Sequence, residues 1–148
     1  MFNPDQFLDT TIDNSNDTST IPVPVGEYTG IVDKVAARQW TKKDDPSVGG
    51  IALDILWIVD STDVCQLLGR EKVTCKQGIM LDLTESGGID MGKGRNIGLG
   101  RLREALDLNT PGKPFSFNML PGQVAKINIT HRISGEDIFA EVKSVSKL

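Results

Sequence analysis

Histidine is nearly missing from this 148-residue chain, with His131 the single example. Cysteine is almost as scarce: Cys65 and Cys75 lie ten residues apart, without the C-x2-C spacing of a zinc site. That spacing points to two reduced, partly buried thiols rather than a disulfide scaffold. With one imidazole and dispersed acids, no Ser-His-Asp set, Cys-His set or carboxylate pair falls at a recognisable spacing. The expectation is a non-enzymatic protein with no cofactor and no metal. No apolar run approaches the roughly 20 residues of a membrane-spanning helix, so no membrane partner is expected. The first twenty residues have neither a cationic start nor an apolar stretch of the secretory kind, which points to a cytosol.

What is present is strand-forming and glycine-rich: 39% hydrophobic residues and 15 glycines, a globular composition that leans towards sheet and turn. The net charge of −4 is unevenly placed. Residues 1–20 hold Asp5, Asp9, Asp13 and Asp17 and no Lys or Arg, while the rest balances 16 acids against 16 bases. Rich in Asp, Asn, Ser and Thr, that leader reads as a flexible or loosely docked acidic segment, with Phe2, Phe7 and Leu8 able to anchor its first turn. Residues 21–148 form the single domain.

Pro22 and Pro24 bring the chain in extended. Glu27–Ala37 is β-branched without helical period and predicts a strand. A polar turn follows, then a second strand over Ile51–Asp60, apolar on both faces at its centre; Trp57 in its middle reads as core. Residues 61–69 suggest a helical turn. Glu71–Leu83 alternates: Val73, Cys75, Gln77, Ile79, Leu81 and Leu83 share one parity, and Lys72, Thr74, Lys76, Gly78, Met80 and Asp82 the other. After a glycine-rich loop, Asn96 is placed to N-cap a helix over 97–108 with the apolar stripe Leu99, Leu102 and Leu106. The chain closes in a hairpin around Ser134-Gly135, with Ala125, Ile127, Ile129, His131 and Ile133 on one parity. The fold predicted is mainly β: a five-stranded OB-fold barrel with a short α-helix between strands three and four, a fold that commonly binds oligonucleotides across strands two and three.

Unpaired nucleotides need positive charge for their phosphates and flat surfaces for their bases. The end of strand one and the polar turn after it gather Lys34, Arg38, Lys42 and Lys43 around Trp40, with Asp44 and Asp45 offsetting two of these charges. The polar parity of strand three adds Lys72 and Lys76. The loop and helix entry add Lys93, Arg95, Arg101 and Arg103, and the final hairpin Lys126 and Arg132, with Phe139 on the outward parity as a second stacking platform. Trp40 has two readings, a base-stacking platform or a cap on the barrel end. The segment Gly87–Lys93 nearly matches the phosphate-cradling P-loop, but Gly94 stands where the Mg2+-binding Ser or Thr belongs, and the βαβ alternation is absent.

The phrases "VPVGEYTGIVDKV", "IALDILWIV", "NIGLGRLREALDL" and "PGQVAKINI" resemble the small single-stranded DNA-binding proteins of bacteriophage replication modules, over roughly residues 21–148. The resemblance implies an OB-fold and binding of single-stranded DNA without strong sequence preference. It also implies a role in DNA replication or recombination within the host cytoplasm. Such proteins often end in an acidic, protein-recruiting tail; here the acidic segment leads. It is therefore the expected contact for replication or recombination proteins, and a homodimer or a weakly cooperative array is the expected assembly. Two alternatives stay open: a structural or adaptor protein that binds other proteins, and a nucleotide-binding enzyme using Gly87–Lys93.

Overall fold

A computed structural model describes residues 1–148. The elements in chain order are α1 (Pro4–Phe7), β1 (Gly26–Thr41), β2 (Gly49–Asp60), α2 (Thr62–Leu68), β3 (Thr74–Met80), α3 (Ile97–Ala105), a 3-10 turn (Phe117–Met119), β4 (Val124–Ser134) and β5 (Asp137–Ser146). No helix is long and apolar enough to cross a membrane. The five strands close into a ring in the order β1-β2-β3-β5-β4. Four of the five pairings are antiparallel ladders; the ring closes through one parallel bridge, Lys76↔Glu141.

The period-two pattern decides what the ring encloses. Leu53, Ile55, Trp57 and Val59 of β2, Cys75 and Ile79 of β3, and Ala125, Ile127 and Ile129 of β4 point inward and are buried. α3 packs Leu99 and Leu102 into the same core. Burying each large side chain is worth roughly 1.5–3 kcal/mol. Trp57 is fully buried, and its indole Nε1 donates to Gln77 Oε1 at 2.9 Å. That bond explains the amide in an otherwise apolar parity: a buried N–H without a partner would be costly. Gly30 sits over the same indole. A Cβ there would lie 2.9 Å from Trp57 Cε3 and 2.8 Å from Ile127 Cγ2, so no larger residue fits.

Several sequence expectations need correction. β1 does not end at Ala37 but runs to Thr41, so Arg38 and Trp40 are strand residues and the turn proper is 42–48. β3 covers only Thr74–Met80, and α3 stops at Ala105. Asn96 occupies the N-cap position in a left-handed conformation, but its side chain makes no cap bond. Its Oδ1 accepts from Asp82 N at 2.7 Å, and its Nδ2 donates to the carbonyls of Asp82 and Asp90, both at 2.9 Å. The side chain fastens the glycine-rich loop instead of the helix. Ile133, on the core parity, is 74% exposed. The β4–β5 hairpin outruns β1, whose pairing with β4 begins at Gly26↔Ile129, so both faces of the tip meet solvent.

Candidate nucleic-acid interface

The outer face of β1, β2 and β3 is built by register. A bulge at Asp33 shifts β1 by one residue, and beyond it Lys34, Ala36, Arg38 and Trp40 stand opposite Leu56, Asp54, Ala52 and Gly50. The next strand sets Lys76, Gly78 and Met80 beside Leu56, Asp54 and Ala52. Alanine and glycine therefore floor the centre of this face, with long side chains around them. Trp40 lies across Gly50, where an added Cβ would stand 3.1 Å from its Nε1. It is half-buried and outside the core cluster. Trp40 and Gly50 also border an open trough of about 630 Å³, but Ala37, Gln39, Thr41, Gly49 and Ile51 line most of it, so it lies on the other face of the β1–β2 hairpin.

The cations of this face are mostly engaged. Asp54 Oδ2 takes Arg38 Nε at 2.9 Å and Lys76 Nζ at 3.5 Å. The Arg38 hydrogen bond is the main cause that holds the Asp54 carboxyl below its ordinary range, against the opposing effect of burial. Lys72 reaches Asp33 at 2.9 Å. Lys34, Lys42 and Lys43 form no ion pair. Lys42 and Lys43 lie in the turn, next to Asp44 and Asp45. The two buried polar side-chain atoms without a hydrogen-bond partner, Trp40 Nε1 and Asp54 Oδ1, both belong to this face. Buried orphans of this kind are uncommon.

The ring closure extends the face. Glu141 stands beside Lys76, and Arg132 Nε meets Glu141 at 3.4 Å. Arg132 also pairs across the hairpin with Phe139, its guanidinium 5.1 Å from the ring centroid. Phe139 is 44% exposed. Arg132 and Phe139 thus border β3 on one side as the β1–β2 hairpin does on the other.

The remaining sequence candidates lie elsewhere. Lys126 is on β4, farthest from β2 and β3 around the ring, and faces Glu27 at 3.9 Å. Arg101, on α3, lines a separate cleft of about 290 Å³ between β3 and β5, with Lys143 on its other wall. Arg103 Nε donates to Leu108 O, and its guanidinium stacks 4.5 Å from the Phe115 centroid. Arg95 meets Asp90 at 3.7 Å, and Lys93 is exposed and without an ion pair. In the Gly87–Lys93 loop the amides of Gly88 and Gly92 donate to Thr84 Oγ1 and Asp90 Oδ1, at 3.1 and 2.9 Å. α3 begins only at Ile97. Those amides are engaged within the loop, and no helix start faces it as a phosphate cradle requires.

His131 Nε2 donates to Val23 O at 2.7 Å and fastens the segment entering β1. Cys65 and Cys75 are free thiols, and burial pushes Cys75 up to about 11. Residues 1–21 are exposed throughout, Phe2, Phe7, Leu8 and Ile12 included.

Asp54 is the site residue that pattern reading passed over. Its signal was available: a carboxylate at the middle of the outward parity of a strand that is otherwise apolar up to its last residue, Asp60. Which cations it would hold was not, because Arg38 and Lys76 reach it from two other strands. Compared with protein-family models and with curated proteins, the chain matches none.

Proposed function

We propose that this chain is a single-stranded DNA-binding protein of the OB-fold type that coats unpaired strands without strong sequence preference. Strand order β1-β2-β3-β5-β4 with β3 and β5 parallel supports that fold assignment. The observation that carries the function is the outer face of β1–β3. A half-buried indole and the side chains of Lys34, Arg38 and Lys76 surround a floor of Ala36, Gly50, Ala52 and Gly78. A floor without side-chain bulk lets bases approach the backbone, Trp40 offers a stacking surface, and the cations follow the phosphates. Phe139 and Arg132 repeat the combination at the far border.

Duplex DNA fits this surface poorly, since its bases are already stacked on one another and do not present free faces to Trp40. The ion pairs with Asp54, Asp33 and Glu141 temper the charge, so affinity rests on stacking as well as phosphate contact. On the same reading the leader is a recruiting arm: exposed Phe2, Phe7 and Leu8 alternate with Asp5 and Asp9, a chemistry suited to a basic, apolar groove on a replication or recombination protein. The role in phage replication and the host cytoplasm follow from the sequence resemblance.

Titration with oligo-dT tests this directly. Tryptophan fluorescence is expected to quench, since Trp40 is reachable while Trp57 is sealed, and the association constant should fall as salt rises. Absence of any response at low salt would reject nucleic-acid binding and favour the adaptor alternative.

A further inference from the structure

We propose that the cleft between β3, α3 and β5 is a phosphate-monoester site, in which Arg101, Lys143 and the Gln77 amide hold a terminal phosphate. This does not depend on the outer face binding nucleic acid. The cleft exists because β3 and β5 share one bridge, Lys76↔Glu141. Past it the β4–β5 register slips: Asn128 faces Ser144 and Ile129 faces Val142, so Lys143 is an extra residue. That bulge bends β5 away from β3. α3 stands over the gap, its Gly98 so near β3 that an added Cβ would lie 3.7 Å from Ile79 Cγ2. The space left is about 290 Å³, at the small end of the roughly 300–1,000 Å³ of ligand pockets.

Donors from three elements converge on this space. Gln77, on β3, is only 8% exposed, and its Oε1 accepts from Trp57 Nε1. An indole nitrogen only donates, so the orientation of the amide is fixed. Nε2 is then the free end of a side chain that lines the cleft, and no acceptor of the protein meets it. It is not one of the two sealed orphans, so the cleft is its opening. Arg101 of α3 and Lys143 of β5 are exposed on the two walls, and neither is in an ion pair. The backbone adds to them. Val59 N bonds Val73 O and Leu81 N bonds Ile51 O, so the odd positions of β3 serve β2. Gly78 and Met80 therefore turn their N–H groups towards β5, which they do not reach. No acid lines the cleft. Glu104, one turn beyond Arg101, faces a neighbouring cleft with Lys147, and Glu141 is held by Arg132.

Charge and geometry select the ligand. Two cations match the roughly two negative charges of a phosphate monoester near pH 7. A forked guanidinium, an ammonium and an amide arriving from three elements suit the three free oxygens of a terminal phosphate better than the two of a carboxylate. A backbone diester carries one charge and is substituted on two oxygens, so a passing strand does not fill the site. Nucleoside monophosphates and 5′-phosphorylated strand ends share the required chemistry.

NMR titrations of the full chain test the site. Inorganic phosphate and thymidine 5′-monophosphate should each shift the Gln77 side-chain amide and the Gly78 and Gly98 backbone signals, and thymidine should not. Arg101→Gln and Lys143→Gln, both at exposed positions, should each weaken monophosphate binding about tenfold or more. Gln77→Glu keeps an acceptor for Trp57 but replaces the free donor, and should abolish binding. Trp40→Ala should leave monophosphate binding unchanged, which separates this site from the outer face. Tighter binding of 5′-phosphorylated oligo-dT than of its 5′-hydroxyl form assigns the site to strand ends; equal affinity, or none for either, assigns it to free nucleotides. No shift at Gln77 with either phosphate, acetate binding as tightly as phosphate, or undiminished binding in Arg101→Gln overturns the proposal. If Gln77→Glu unfolds, the two exposed variants decide.

Discussion

Trp57 and Trp40 stand on neighbouring strands and meet opposite fates. Trp57 points into the ring, is fully buried, and bonds Gln77 through its Nε1. Trp40 points out, lies across a glycine, and leaves its Nε1 without a partner. The same side chain is structural where its polar atom is satisfied by the protein, and available where it is not. The sealed wall around Trp57 and the outer face around Trp40 thus divide the molecule into a part that holds the fold and a part proposed to act.

The largest effect should come from breaking the sealed side. Trp57→Ala is expected to cost about 3–5 kcal/mol, through lost burial and the cavity left behind. Urea unfolding measures it, and a loss under 1 kcal/mol would mean that the indole is not the centre of the core. On the outer side Trp40→Ala should leave stability within about 1 kcal/mol. It should weaken oligo-dT binding by about 1–3 kcal/mol and abolish fluorescence quenching. Unchanged affinity would remove Trp40 from the interface even if DNA binds elsewhere.

A finer cut separates shape from bonding within the core. Gln77→Ala keeps Trp57 but strands its buried N–H, at an expected cost of about 1–3 kcal/mol in the same unfolding measurement. The smallest effect concerns pH. The Asp54 carboxyl is held below its ordinary 3.8, so the stability it contributes is full above that value and is lost as pH falls through its lower folded value. Thermal melts between neutral and strongly acid pH should therefore show a shallower acid loss in Asp54→Asn than in the parent. Equal slopes would mean that Arg38 does not hold this carboxylate in solution.

Much of the fold was legible. The alternation in Glu71–Leu83 placed Val73, Cys75, Gln77 and Ile79 inward, and all four are buried. The stripe Leu99, Leu102 and Leu106 marked the buried side of α3 and the residue that follows it. The candidate site was legible only in part. Trp40, Lys34, Arg38 and Lys76 do share a face, but pattern gave no sign of the carboxylate between two of these cations. Phe139 was read as outward and is exposed, whereas Ile133 was read as inward and is not buried, because parity says which way a residue points and not whether another strand reaches that far.

Chain composition and period by themselves determined the class of structure, the strand order along the chain and the inward set. Those follow from local backbone geometry and from the two-residue repeat of a pleated strand. Tertiary structure alone decided where each ladder ends, which cation meets which acid, and which edge stays open. Each of these depends on residues far apart in sequence arriving side by side, and on the stagger needed to close five strands into a ring.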